Sequence, residues 1–183
     1  MKFTPKTAIL TGLLCAGLYT IPLLTINGDL FLKSDNFDGG LKGESTEPGF
    51  EGWIEVDSFQ FGAGNPVSTD FGSPNRSGTP SLTEITLSKT MDSTSPALFA
   101  NLTQGERIPV MRVVLRLGSR TFKYIIEDVY ISSVSWSSGG LDGSESLSLN
   151  FRTITVEHYS VDEKGGEILT GSASWNRATQ TTK

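Results

Sequence analysis

From Gly28 to Asn176, apolar side chains return at every second residue in one segment after another. Only extended strands gather such a set onto one face, because successive side chains of a strand point to opposite sides. "PSLTEITLSKT" sets Ile85 and Leu87 against Glu84, Thr86 and Ser88. "RIPVMRVVLRLGSR" sets Val113, Leu115 and Leu117 against Arg112, Val114 and Arg116. "GWIEVDSFQFG" carries Ile54 and Val56, then Phe59 and Phe61, with a change of phase at Asp57–Ser58 that predicts a bulge. "TFKYIIEDVYISSVSW" is apolar on both faces from Tyr124 to Ile131, which predicts a central strand.

The remaining segments follow the same rule. "GDLFLK" reads as a short first strand. "SESLSLNFRTITVEHY" carries Leu147, Leu149 and Phe151, then shifts phase to Ile154 and Val156. "GEILTGSASWN" keeps Leu169, Ala173 and Trp175 in step. Seven or so strands at short spacing predict an all-β sandwich or barrel. One segment departs from the pattern. "STSPALFANLTQGE" predicts a single helix over about 95–104, with Ser95 as N-cap, Pro96 in the first turn and Gly105 as the stop. Two long loops, Ser34 to Gly52 and Gly62 to Pro80, are rich in Gly, Pro and Ser, and loops of that length in a compact domain are usually functional.

Composition limits the function classes. The 183 residues fit one domain, and 37% hydrophobic content is enough for a packed core. A net charge of −5 argues against nucleic-acid binding. The single cysteine, Cys15, lies outside the strand region and cannot form a disulfide within the chain. His158 is the only histidine, so zinc chemistry lacks its usual ligands and no metal or cofactor is expected. Glu127 and Asp128 are neighbours in a strand and point apart, which does not make a carboxylate pair. "SDNFDGG" lacks the spacing and closing Glu of a calcium loop and reads as a polar turn. Asn75-Arg76-Ser77 and Asn101-Leu102-Thr103 match the glycosylation tripeptide, a common coincidence. No catalytic residue is expected, and the chain does not read as an enzyme.

The start of the chain raises a separate question. Lys2 and Lys6 precede "AILTGLLCAGLYTIPLLTI", a run close to the length of a spanning helix, about 20 residues. A signal peptide, an uncleaved anchor, a packing extension and a misassigned start all fit this pattern. The expected organisation is a hydrophobic segment over 1–26, a β domain over 27–177 and a short polar tail over 178–183.

Taken in order, "FLK", "LKGES", "WIEVDSFQFG", "LSKTMDSTSPALF", "GERIP", "YIIEDVYISSVS", "ESLSLNFRTITVE" and "GGEILTGSASWN" resemble the hemolysin-coregulated protein (Hcp) family, the tube subunits of the bacterial type VI secretion system. The resemblance spans about Gly28 to Asn176. It implies a compact β-barrel of two packed antiparallel sheets with one flanking helix and long protruding loops. It further implies hexameric rings stacked into a secreted tube that carries effector proteins, with sheath, spike and baseplate proteins as partners and no activity of its own. Gln60 matches the position that faces the lumen and touches cargo. Glu44 and Ser45 match the "GES" loop, and Gly62, Asn65, Asp70 and Arg76 lie in the extended loop, both expected at subunit or ring–ring interfaces. The N-terminal extension departs from the family pattern. It leaves a second reading open, an exported or membrane-tethered stand-alone binding or adhesion module that touches the membrane through 1–26 only.

Overall fold

A computed structural model describes residues 29–35, 41–66, 78–139, 142–163 and 165–182. The apolar segment 1–26, most of "SDNFDGG", the tripeptide at Asn75 and the expected interface residues Asp70 and Arg76 lie outside them. The elements are β1 (Asp29–Asp35), β2 (Ile54–Glu55), β3 (Ser58–Gln60), β4 (Ala63–Gly64), β5 (Ser81–Leu82), β6 (Ile85–Thr90), α1 (Ser95–Gln104), β7 (Ile108–Leu117), β8 (Arg120–Ser138), β9 (Gly143–Asn150), β10 (Thr153–Val161), β11 (Glu167–Asn176) and β12 (Thr181–Thr182). The seven described strands of six residues or more all lie in segments the alternation predicts, β9 and β10 sharing one, while "GWIEVDSFQFG" holds only the short β2 and β3.

Two antiparallel layers share β8. One runs β12-β11-β10-β8-β7-β1-β2 and the other β3-β6-β9-β8. The first half of β8 pairs with β7 and β10, the second half with β9. Asp128 makes the joint, with φ of 53°, and Arg107 and Arg152 both pair with its carboxylate. A left-handed residue inside a strand is uncommon, and Asp is one of the few side chains that tolerates it.

The two packed antiparallel sheets and the flanking helix are as expected, and the barrel they form is open at the opposite corner. Among the described residues, no ladder of hydrogen bonds runs all the way round the layers. At Val56–Asp57 the chain leaves one sheet and joins the other. The Val56 N–H donates to the Leu30 carbonyl and the Asp57 N–H to that of Ser88. The phase change expected as a bulge is therefore a change of partner: Ile54 pairs with Leu32 and Phe59 with Leu87. Between the layers lies a core that includes Leu32, Ile54, Ile85, Leu87, Met111, Val113, Ile126, Leu147 and Leu149.

Two local readings change. Thr94, not Ser95, is the N-cap residue of α1, and no side chain caps the helix. Gly105 ends α1 in the left-handed conformation, φ 64°, as expected of a helix stop. Leu169 is not in step with Trp175. A register shift at His158/Tyr159 pairs Leu169 with Tyr159, and its side chain is exposed. Asn101 is buried in α1, so its tripeptide is not a surface acceptor.

The Ser95 hydroxyl serves a buried ion pair instead. Lys89 and Glu145 face each other across β6 and β9 at 0% exposure, with Nζ 3.1 Å from Oε2. Ser95 Oγ donates to Glu145 Oε2 at 2.7 Å, and Trp136 Nε1, on the third strand of the row, donates to Oε1 at 2.7 Å. Lys89 also meets Asp92 Oδ1 at 2.8 Å and donates to the Thr90 carbonyl at 2.9 Å. This network ties the start of α1 to the end of the four-stranded layer.

Burial pushes the Asp92 carboxyl upward, but hydrogen bonds from Lys89 and Thr94 outweigh it and hold the pKa below 3.8. A depressed carboxylate contributes stability above its unfolded pKa and loses it as pH falls through the folded value. Urea midpoints measured across an acid series should therefore decline below about pH 4, and Asp92→Asn should flatten part of that decline. An Asp92→Asn profile as steep as the parent's would contradict this role.

Candidate functional site

The outward face of β3-β6-β9-β8 is built by alternation. Its inward rows are Phe59–Leu87–Leu147–Val134 and Ile85–Leu149–Ile131. Phe59 lies 4.5 Å from Tyr124 and Phe61 6.0 Å from Phe151, ring centre to ring centre, and both Phe pack against the core. Gln60, between them, is exposed on the other side, as the sequence predicts.

Directly paired residues of an antiparallel ladder share a face, so the outward rows can be read from the register. They are Thr90–Ser144–Ser137, Ser58–Ser88–Ser146–Ser135 and Gln60–Thr86–Ser148–Ser133. All are Ser or Thr apart from Gln60, and none is charged. The Ser58 and Ser88 hydroxyls are 2.6 Å apart. The first charge beyond the third row is Glu84, which accepts hydrogen bonds from Ser132 at 3.0 Å and Asn150 at 3.4 Å. Of these rows, the sequence by itself singles out only Gln60, between its two Phe neighbours. The serines were visible as the polar half of each alternation, but their alignment into rows depends on the register.

This wall ends in an open strand edge on each side. Among the described residues, β3 pairs only with β6, and Tyr130–Ser138 pairs only with β9. Unpaired N–H and C=O groups on such edges are templates for another strand.

The "GES" loop folds onto the outer face of β1. Gly43 N–H donates to the Gly52 carbonyl, Ser45 N–H to that of Trp53, and Gly52 N–H returns to Ser45. Phe50 stacks on Phe31 at 4.2 Å, Trp53 meets Phe50 edge-on at 5.1 Å, and the Arg116 guanidinium lies over both Phe rings. Arg116 also pairs with Glu47 and Asp29 at 2.6 Å, and the Glu47 bond leads the causes that raise its pKa. Glu44 is exposed and accepts the Ser93 N–H at 3.0 Å, linking this loop to the approach to α1. Ser45 is buried inside its own loop. Glu44, Glu55, Asp57 and Asp92 line an acidic cavity of about 440 Å³ at that end of the wall.

At the base of the second loop, β4 and β5 form a two-stranded ribbon, and Gly62 is pinned to Thr83. Asn65 is exposed just beyond that ribbon. The structure thus brings Glu44 and Ser45 together and sets Gly62 and Asn65 apart from them, beyond Gln60. Among the described residues, no group of three or more His, Cys, Asp or Glu is arranged to hold a metal ion, and no helix is long and apolar enough to cross a membrane.

Comparison with known proteins follows the same lines. The family model described as "Type VI secretion system effector, Hcp" matches residues 31–158. A solved structure described as a type six secretion system protein superposes with a TM-score of 0.72 at 24% identity, covering 85% of this chain and 99% of that one. Hcp1 from Salmonella typhimurium gives 0.63 at 26% identity over 85% of this chain and 99% of its own. Hcp2 from the same organism gives 0.60 at 29% identity over 82% and 96%. No curated protein sequence matches the chain.

Proposed function

The chain belongs to the Hcp family of type VI secretion proteins, and from that premise we propose that six copies join edge to edge into a ring whose lumen is the hydroxyl wall. As a family member it is a structural subunit of the secretion tube. The observation that carries the hexamer is the pair of open edges, β3 on one side and the second half of β8 on the other. They are different surfaces, so joining them is a heterologous contact, which closes a ring when the rotation allows.

Dimensions agree with a closed ring. Six walls of four strands at about 4.8 Å spacing, tilted as barrel strands are, enclose a cylinder about 45–50 Å across between backbones. Closure also removes both edges from solvent, which a free monomer would expose to aggregation. Stacked rings would carry effector proteins within the lumen and work with sheath, spike and baseplate proteins, leaving the cell as the tube is expelled. Glu44, Ser45, Gly62 and Asn65, with Asp70 and Arg76, are assigned to contacts between subunits or rings, and Gln60 to the lumen. The family match and the open edges favour this reading over a stand-alone exported or membrane-tethered module.

Cysteine pairs test the edges. In a Cys15→Ser background, one cysteine at Ser58 or Gln60 and a second at Ser133, Ser135 or Ser137 should yield, on mild oxidation, a ladder of covalent multimers ending at six. At least one combination must crosslink if the edges meet. Monomers throughout the series would exclude edge-to-edge assembly.

A further inference from the structure

The chemistry of the wall bears on what the tube can carry, an inference that rests on the lumen assignment above. The chain's net charge of −5 alone would draw basic passengers to it. Yet the three outward rows, from Thr90 to Ser133, hold no charge. Carboxylates sit beyond the ends of the rows: Glu84, engaged by Ser132 and Asn150, Asp57 and Asp92 in the acidic cavity, and exposed Asp142, two residues before Ser144.

We propose that the tube selects passengers by neutral hydrogen bonding: compact domains whose outer surface is rich in uncharged polar groups, held independently of salt and of the sign of their charge. A serine or threonine hydroxyl both donates and accepts, so it can match an amide, a hydroxyl or a backbone group in either role. Serine loses little rotamer entropy on being ordered. A charged passenger surface pressed against these rows gives up hydration and finds no counter-charge, a cost that is the same in kind for either sign. Bridging water can complete the contacts without adding charge. The lumen accommodates a domain of about 100 residues, whose radius of gyration is about 13 Å.

The test uses rings of the full chain and one monomeric probe domain of about 100 residues made in three surface-charge versions, near −8, 0 and +8. Retention by the rings is read by co-elution at about 50 mM and about 500 mM salt, with the rings checked by electron microscopy. The neutral probe should be retained equally at both salts, within about two-fold, and the two charged versions less and to a similar degree. Ser146→Lys should leave the rings intact, favour the acidic probe and make its retention salt-dependent. Ser58→Lys, at a more exposed position, serves the same purpose if Ser146→Lys does not fold. Intact parent rings that prefer the basic probe, lose the neutral probe about ten-fold or more with salt, or retain no probe overturn the proposal while leaving the tube reading in place. So do lysine variants whose rings behave as the parent's. Absence of rings would remove the tube reading and this proposal together.

Discussion

Replacing Lys89 with alanine should destabilise the fold by about 3–5 kcal/mol, because it leaves the Glu145 carboxylate buried without its cation. Both residues have no exposed surface, and Glu145 would keep only the Ser95 hydroxyl and the Trp136 indole. Urea denaturation measures the loss directly. The double variant Lys89→Met/Glu145→Gln removes both charges and should recover most of it, since replacing a buried ion pair by groups of similar volume is often close to neutral. Gln retains an oxygen for one of the two remaining donors. A Lys89→Ala loss below about 1 kcal/mol, the value of an exposed pair, would mean that the pair is not sealed from water.

Gly43→Ala should be the second large effect, about 3 kcal/mol, as an overpacked site that can relax only by moving backbone. An added Cβ would overlap the carbonyl of Trp53 and the amide nitrogen of Ile54, and neither can swing aside as a side chain would. The loop from Gly43 to Trp53 would have to lift, breaking the Gly43–Gly52 and Ser45–Trp53 hydrogen bonds and carrying Glu44 away from Ser93. Gly49→Ala is the natural comparison. Its φ of 86° strains a side chain but its surroundings are open, so about 1–2 kcal/mol is expected. Urea midpoints, followed by the intrinsic fluorescence of the three tryptophans, separate the two. Equal losses would mean that the close approach at Gly43 is not what holds the loop.

Much of the fold is legible in the sequence because period two is a local signal. β6, β7 and the double-faced centre of β8 follow from alternation alone, and α1 is bounded by Pro96 and Gly105. The phase change at Asp57–Ser58 was visible too, but its cause was not. A bulge and a change of partner look alike along the chain, and only the pairing of Ile54 with Leu32 and Phe59 with Leu87 separates them. The same limit hid the step at Leu169, where one extra residue turns the strand over.

The candidate site was legible in part. Gln60 between Phe59 and Phe61 is a complete local signal, since two anchors fix the direction of the residue between them. The hydroxyl rows are not local, because four separate strands contribute to each complete one. The Lys89–Glu145 pair left a faint trace: Lys89 continues the apolar phase of Ile85 and Leu87, and Glu145 that of Leu147 and Leu149. Two opposite charges in the apolar phase of neighbouring strands point to a buried pair, but only once those strands are known to be neighbours.

The central claim is that the hydroxyl wall becomes the lining of a ring once its two edges are joined. Electron microscopy of the purified full chain over a range of concentrations tests this most directly. Six-fold annular particles, with an opening somewhat narrower than the roughly 45–50 Å between backbones, are the expected result. Uniform single-chain particles at every concentration, or rings in which Ser58, Ser88 and Ser146 face outward, would contradict it.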